Sequence, residues 1–129
     1  MPGKTILWVE DDADLVAGLK GSMEREGWTV HVASSAEEAK ARVGAIRPEL
    51  IVMDVVMGGE HGFAATRELR QLPELQNVPI VIYSSVSDRW NETTATRHDG
   101  LATEADDFVD KADGPTALFR AIRKYLPGS

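Results

Sequence analysis

The chain has 129 residues, enough for one ordinary domain, and its 43% hydrophobic and 27% charged residues are typical of a globular protein. A net charge of -7 argues against direct nucleic-acid binding, which needs clustered Lys and Arg. Cysteine is absent, which excludes disulfides, thiolate metal sites and thiol nucleophiles. No apolar run reaches the ~20 residues of a membrane span, and the first predicted strand leaves no room for a signal peptide. We therefore expect a cytoplasmic protein without a membrane partner.

The first half of the chain alternates between strand and helix signals. Residues 5–9 predict a strand, and three apolar residues at a spacing of four predict a helix that Gly27 ends. Asp12 is placed to cap this helix. Residues 28–33 alternate as a second strand, and Ser35 opens a second helix with the capping box that it forms with Glu38.

The central strand is the clearest element. Leu50–Met53 is a continuous apolar run, which is typical of a strand covered by helices on both faces. It ends at Asp54, where open α/β sheets place their ligand crevices. The later elements are a helix over 63–72, strands over 79–83 and 107–110, and a last helix that begins at Gly114. Residues 86–104 predict a further helix only weakly.

Five strand–helix alternations predict an α/β fold with a parallel sheet and helices on both faces. All strand C-termini of such a sheet lie at one edge. The polar residues at those ends are Glu10, Asp11, Asp12, Asp54, Ser84, Ser85 and Lys111. Three or more carboxylates in one crevice repel each other unless a cation neutralises them.

This group of residues predicts a magnesium site. Lys111 can neutralise one carboxylate, and the remaining oxygens suit Mg²⁺, which takes one or two carboxylates and keeps several waters. No His or Cys lies at these strand ends, which disfavours zinc. A metal-held carboxylate beside a hydroxyl and a lysine is equipped to attack or accept a phosphoryl group.

Four segments, in this order, resemble the receiver domain of two-component response regulators. They are Ile6–Asp11, Ile51–Met57 with Gly62 eight residues after Asp54, Pro79–Ser84, and Ala105–Lys111. The resemblance covers the whole chain. It implies a flavodoxin-like doubly wound (βα)5 three-layer sandwich, with a five-stranded parallel sheet of order 2-1-3-4-5.

The resemblance also implies a role for each site residue. Asp54 would be the phosphoacceptor and Ser84 would hydrogen-bond a phosphoryl oxygen, while Lys111 would pair with Asp54 or its phosphate. The implied Mg²⁺ ligands are Glu10, Asp11, Asp54 and the backbone carbonyl of Val56. Phe108 falls at the family's aromatic switch position, whose rotamer follows Ser84.

The partners implied are a sensor histidine kinase or a histidine phosphotransfer protein, together with an unknown downstream protein. Partner binding would switch through the face formed by the fourth helix, fifth strand and fifth helix, and a homodimer is possible. We expect residues 1–129 to form a single receiver domain without an output domain. The chain would not be an enzyme, although it would assist its own phosphorylation and dephosphorylation.

Two positions depart from the family's pattern. Gly58 and Ala112 each replace a usual proline, and the second is where the family has a cis peptide after its lysine. The interval from Ser84 to Lys111 is also about five residues longer than usual, which places an insertion beside the fourth helix. None of these departures removes a residue that phosphoryl chemistry requires.

Two other functions remain as alternatives, and a third is excluded. A small Mg²⁺-dependent phosphotransferase or phosphatase could use Asp54 as nucleophile, but its usual general acid two residues later would be Val56. A docking module that ignores phosphate is disfavoured because the acids, Ser84 and Lys111 are all present. An FMN binder of the same fold would need a hydroxyl-rich loop after the first strand, where this chain has three acids.

Overall fold

The computed structural model describes residues 4–54, 56–57, 60–85 and 105–127; for 56–57 and 60–65 it describes the backbone alone. Five parallel strands form one sheet in the order β2-β1-β3-β4-β5. Their bounds are β1 Thr5–Val9, β2 Thr29–Ala33, β3 Leu50–Met53, β4 Ile80–Ser84 and β5 Asp107–Asp110. A short antiparallel ribbon joins Val56–Met57 to Glu60–His61.

Helices cover both faces of the sheet. They are α1 Ala13–Arg25, α2 Ala36–Ile46, α3 Gly62–Arg70 and the C-terminal helix Gly114–Tyr125. One core cluster packs α2 and α3 against one face, and a second packs α1 and the C-terminal helix against the other. The predicted three-layer arrangement and strand order are therefore confirmed.

Side-chain caps set the start of the first two helices. The Asp12 carboxylate accepts a hydrogen bond from the Leu15 N–H at 3.1 Å, and the Ser35 hydroxyl accepts one from the Glu38 N–H at 3.1 Å. Each cap satisfies an N–H that the first helical turn leaves without a partner. Both predicted caps are confirmed, and the first fixes the chain directly after the acids that follow β1.

Several predicted boundaries were wrong by one or two residues. Strand β2 begins at Thr29 rather than at residue 28, and β4 runs one residue later than predicted. Helix α3 covers Gly62–Arg70 because the chain then turns into the 3₁₀ segment Pro73–Leu75, which buries Leu75. The apolar spacing typical of a helix continues beyond Arg70 to Leu72, so the predicted helix was too long at its C-terminal end.

The turn after β5 was predicted to lack the usual proline, which left the geometry of its first peptide bond open. The described residues contain no cis peptide bond, so the Lys111–Ala112 bond is trans, and Lys111–Asp113 form a 3₁₀ turn. The predicted helix within 86–104 and the position of Gly58 lie outside the described residues. Among the helices that the structure describes, none has the length and apolar character needed to cross a bilayer.

Candidate functional site

The parallel register brings four strand ends to one edge of the sheet. Glu10 directly follows β1 and Asp54 directly follows β3, and the Asp54 N–H donates to the Val9 carbonyl at 3.0 Å. Ser84 is the last residue of β4, where it is paired with Asp110 of β5. The next residue of the chain is Lys111. The predicted convergence of these residues is therefore present.

Asp54 is the centre of the site. Its side chain is buried, and the Ser84 hydroxyl donates a hydrogen bond to its Oδ1 at 2.5 Å. The Lys111 ammonium lies 3.3 Å from its Oδ2. One carboxylate oxygen therefore faces a neutral donor and the other faces a cation. Burial alone would lower the pKa of Lys111, but the charges of Asp54 and Glu10 outweigh it and raise that pKa, so the ammonium stays charged.

Glu10 is the second buried carboxylate of the site. Its oxygens lie 3.1 and 3.3 Å from the Lys111 ammonium, and its Oε2 also accepts from the Asp12 N–H at 3.2 Å. Burial, and then the charge of Asp54, raise the pKa of Glu10 to about 7, while Lys111 opposes the shift. One lysine therefore does not neutralise the two carboxylates.

The arrangement of the acids fits a hard divalent cation. Glu10, Asp11 and Asp54 each offer a carboxylate oxygen, and these oxygens lie within 4.8 Å of one another. Glu10 and Asp54 are buried while Asp11 is exposed, so the cluster opens to solvent on the side of Asp11. An all-oxygen set with one wet side suits Mg²⁺, which retains several waters.

Two further residues, Val56 and Phe108, were also predicted to belong to the site. Val56 begins the short ribbon two residues after Asp54. Phe108 lies in β5, paired in register with Ile82, and packs half-buried against the core cluster that contains Ile82. The metal-ligand role of the Val56 carbonyl and the switch role of Phe108 remain predictions.

Two features of the site were missed from the sequence. Lys111 contacts Glu10 as well as Asp54, whereas only a pairing with Asp54 or its phosphate was expected. The Asp110 carboxylate accepts from the Ala112 N–H at 2.9 Å and caps the turn that carries Lys111. Asp side chains often accept a hydrogen bond from the backbone N–H two residues later and so start a turn, which makes Asp110 the available signal in the sequence.

Comparison with known proteins gives the same assignment from sequence. The family model described as the response regulator receiver domain matches residues 6–123. Transcriptional regulatory protein YvrH of Bacillus subtilis is 36% identical over 127 residues, which are 98% of this chain and 50% of that protein. Response regulator PleD of Caulobacter vibrioides is 30% identical over 118 residues, 92% of this chain and 25% of that protein. The chain thus spans half or less of these curated relatives.

Solved structures give the same fold. The response regulator TrrA of Thermotoga maritima, in complex with Mg²⁺-BeF, has a TM-score of 0.79 at 24% identity, covering 95% of this chain and 99% of that chain. The signal receiver domain of a histidine kinase from Syntrophus aciditrophicus has a TM-score of 0.79 at 29% identity, covering 98% of this chain and 92% of that chain. With the family model matching nearly the whole sequence, this chain belongs to the response regulator receiver domains of two-component systems.

Proposed function

We propose that this chain is a phosphoacceptor switch that takes a phosphoryl group onto Asp54 in a Mg²⁺-dependent reaction. The observation that supports this most strongly is the pair of contacts on the Asp54 carboxylate: a hydroxyl donor on one oxygen and an ammonium on the other. Receiver domains receive phosphate from histidine kinases and act on downstream targets. The proposed donor here is the phosphohistidine of a sensor kinase or of a phosphotransfer protein.

In the proposed transfer, a carboxylate oxygen of Asp54 attacks phosphorus while the bond from phosphorus to the donor's imidazole nitrogen breaks. The nitrogen leaves with the bonding electron pair and takes up a proton. Ser84 and Lys111 already touch the carboxylate, so small movements bring both onto phosphoryl oxygens. Their hydrogen bond and positive charge then stabilise the charge on those oxygens in the transition state.

The proposed cation would be held by Glu10, Asp11 and Asp54, with the Val56 carbonyl as the further ligand that the family resemblance implies. When bound, Mg²⁺ supplies positive charge to the phosphoryl oxygens and relieves the repulsion between the carboxylates. The raised pKa of Glu10 supports this assignment, because burial and then the charge of Asp54 raise it and Lys111 does not offset them.

The proposed output is a change in partner binding rather than a chemical product. Ser84 would move toward the phosphoryl group and Phe108 would repack in the space that this movement opens. Phe108 carries no hydroxyl, so its response would be a packing change without a new hydrogen bond. Cytoplasmic localisation and dimerisation remain predictions of the sequence.

Transfer from a phosphorylated kinase tests the proposal. A histidine kinase core is autophosphorylated with labelled ATP, freed of nucleotide and mixed with the chain in Mg²⁺ or in EDTA. We expect label to move to the wild type in Mg²⁺ only, and not to Asp54→Asn, which keeps the size of the side chain. Transfer to Asp54→Asn at the wild-type rate would refute the assignment.

A further inference from the structure

The turn that follows β5 is held at both ends by hydrogen bonds. At its start, the Asp110 carboxylate accepts from the Ala112 N–H at 2.9 Å. At its end, the Gly114 N–H donates to the Lys111 carbonyl. Gly114 has φ +84, a conformation that favours glycine, and it closes the turn at the first residue of the C-terminal helix. The backbone of Lys111 is therefore fixed from both sides.

Fixing this backbone matters because the Lys111 side chain is long. Four methylene groups separate the ammonium from the backbone, and holding them in one geometry costs as much as ~2 kcal/mol of rotamer entropy. The ammonium nevertheless contacts Glu10 at 3.1 Å and Asp54 at 3.3 Å, and its side chain is only 18% exposed. A backbone that varied in direction would shift the ammonium away from both carboxylates.

The same turn also relates Lys111 to Ser84. Asp110 is paired with Ser84 in the β4–β5 register, so the residue that caps the turn lies beside the strand end that carries the hydroxyl. Ser84 is thus held by its pairing with Asp110, and Lys111 is the next residue after Asp110. The hydroxyl and the ammonium that contact the Asp54 carboxylate are therefore positioned through the same residue. A shift of ~1 Å in such groups can cost much of a reaction's rate.

We propose that Asp110 is a positioning residue for phosphoryl transfer: its side-chain cap on the Lys111–Asp113 turn holds the Lys111 ammonium between Glu10 and Asp54. This inference rests on the proposed function of Asp54. It assigns the role to the acceptor oxygen of Asp110 and not to its negative charge.

Two variants separate the acceptor from the charge. Asp110→Asn keeps a side-chain oxygen that can accept from the Ala112 N–H, whereas Asp110→Ala removes it. Asp113→Ala is the matched control, because Asp113 belongs to the same turn and makes no side-chain cap hydrogen bond. Urea unfolding of each variant checks that it is folded under the assay conditions.

The first measurement is the rate at which acetyl phosphate phosphorylates the full chain in excess Mg²⁺. We expect Asp110→Ala to react about tenfold more slowly than wild type, because the Lys111 ammonium would less often be in position to stabilise the transition state. Asp110→Asn and Asp113→Ala should stay within about twofold of wild type. If Asp110→Asn is as slow as Asp110→Ala, the charge matters instead of the acceptor and the proposal is wrong.

The second measurement needs no phosphorylation. Trace labelling with acetic anhydride, followed by peptide mass spectrometry, gives the acylation rate of Lys111 relative to the other lysines. We expect this ratio to rise severalfold in Asp110→Ala, because an ammonium released from the two carboxylates loses its proton more readily and is more accessible, and to return to the wild-type value in Asp110→Asn. An unchanged ratio in Asp110→Ala overturns the positioning role. A wild type that takes up no phosphoryl group overturns the proposed function instead.

Discussion

At the scale of single residues, the site combines burial with unbalanced charge. Glu10 and Asp54 are both buried, and the Lys111 ammonium is the cation that contacts them within the described residues. Burial disfavours the charged form of a carboxylate, and a second carboxylate nearby disfavours it further. The site therefore destabilises the fold in the absence of a metal and gains stability when a divalent cation binds.

The raised pKa of Glu10 makes the destabilisation by this site measurable as a pH dependence of the free energy of unfolding. Its pKa is about 7 in the fold against 4.5 in an unfolded chain, so the folded form binds the proton more tightly. Stability without Mg²⁺ therefore falls as the pH rises from about 4.5 to about 7. We expect Glu10→Gln in EDTA to be more stable than wild type by roughly 1–3 kcal/mol above this range.

Urea unfolding from pH 5 to pH 8 measures this difference. Saturating Mg²⁺ should stabilise wild type more than Glu10→Gln, and so reduce the gap between them. Parallel pH profiles for the two proteins in EDTA would contradict the raised pKa of Glu10.

Ser84 gives a second prediction at this scale. Its hydroxyl donates to Asp54 and is placed to donate to a phosphoryl oxygen. We expect Ser84→Ala to slow phosphorylation by acetyl phosphate roughly tenfold to a hundredfold, as when one oxyanion donor is lost. Ser84→Thr keeps the hydroxyl and should restore most of the rate. The rate of mass gain in acetyl phosphate measures both variants. A wild-type rate in Ser84→Ala would show that Ser84 takes no part in the reaction.

At the scale of secondary-structure elements, the start of α1 divides two neighbouring acids between two tasks. The Asp12 carboxylate caps the helix through the Leu15 N–H, while Asp11 contributes an oxygen to the acid cluster. Both residues are exposed, so burial does not distinguish them. Their hydrogen bonds do.

Substituting Asp12 should affect stability, whereas substituting Asp11 should affect Mg²⁺ binding. We expect Asp12→Ala to lower the free energy of unfolding by about 1 kcal/mol and to leave Mg²⁺ affinity nearly unchanged. Asp11→Ala should weaken Mg²⁺ binding by roughly tenfold or more with little loss of stability. Calorimetric titration and urea unfolding provide the two readouts. Equal losses of Mg²⁺ affinity in both variants would contradict this division.

Element by element, the sequence predicted most of what positions the site. The apolar run of Leu50–Met53 identified the central strand, and the capping residues identified two helix starts, because these signals depend on local chain chemistry. The turn of Lys111–Asp113 and the contact between Lys111 and Glu10 were not predicted. The contact depends on how separate elements meet, for which one sequence carries no signal beyond the sheet topology. The turn is local, and Asp110 is its signal in the sequence.

At the scale of the whole molecule, the end of the sheet opposite the site is tied together by Arg70. Its guanidinium donates to the carbonyls of Leu75 and Val78 at 2.9 and 2.7 Å, and to the Asp106 carboxylate at 2.7 Å. The Asp106 carboxylate also accepts from the Ile80 N–H at 2.8 Å. Helix α3, the 3₁₀ segment and the starts of β4 and β5 thus meet at one side chain.

Removing this connection should affect stability rather than chemistry. We expect Arg70→Ala to lower the free energy of unfolding by roughly 2–3 kcal/mol, because it removes charge-assisted hydrogen bonds to two carbonyls and to the Asp106 carboxylate. Arg67→Ala, on the exposed side of the same helix, is the control and should change it by less than about 0.5 kcal/mol. Urea unfolding measures both. Equal effects would show that the Arg70 contacts do not stabilise the fold.

Intact-mass analysis tests the role of Asp54 as phosphoacceptor most directly. Wild type and Asp54→Ala are incubated with acetyl phosphate, each in Mg²⁺ and in EDTA, and weighed by mass spectrometry. We predict one added phosphoryl group on the wild type in Mg²⁺, and none on the wild type in EDTA or on Asp54→Ala in either condition. A folded wild type that gains no mass in Mg²⁺, or an Asp54→Ala variant that gains it at the wild-type rate, would contradict the account.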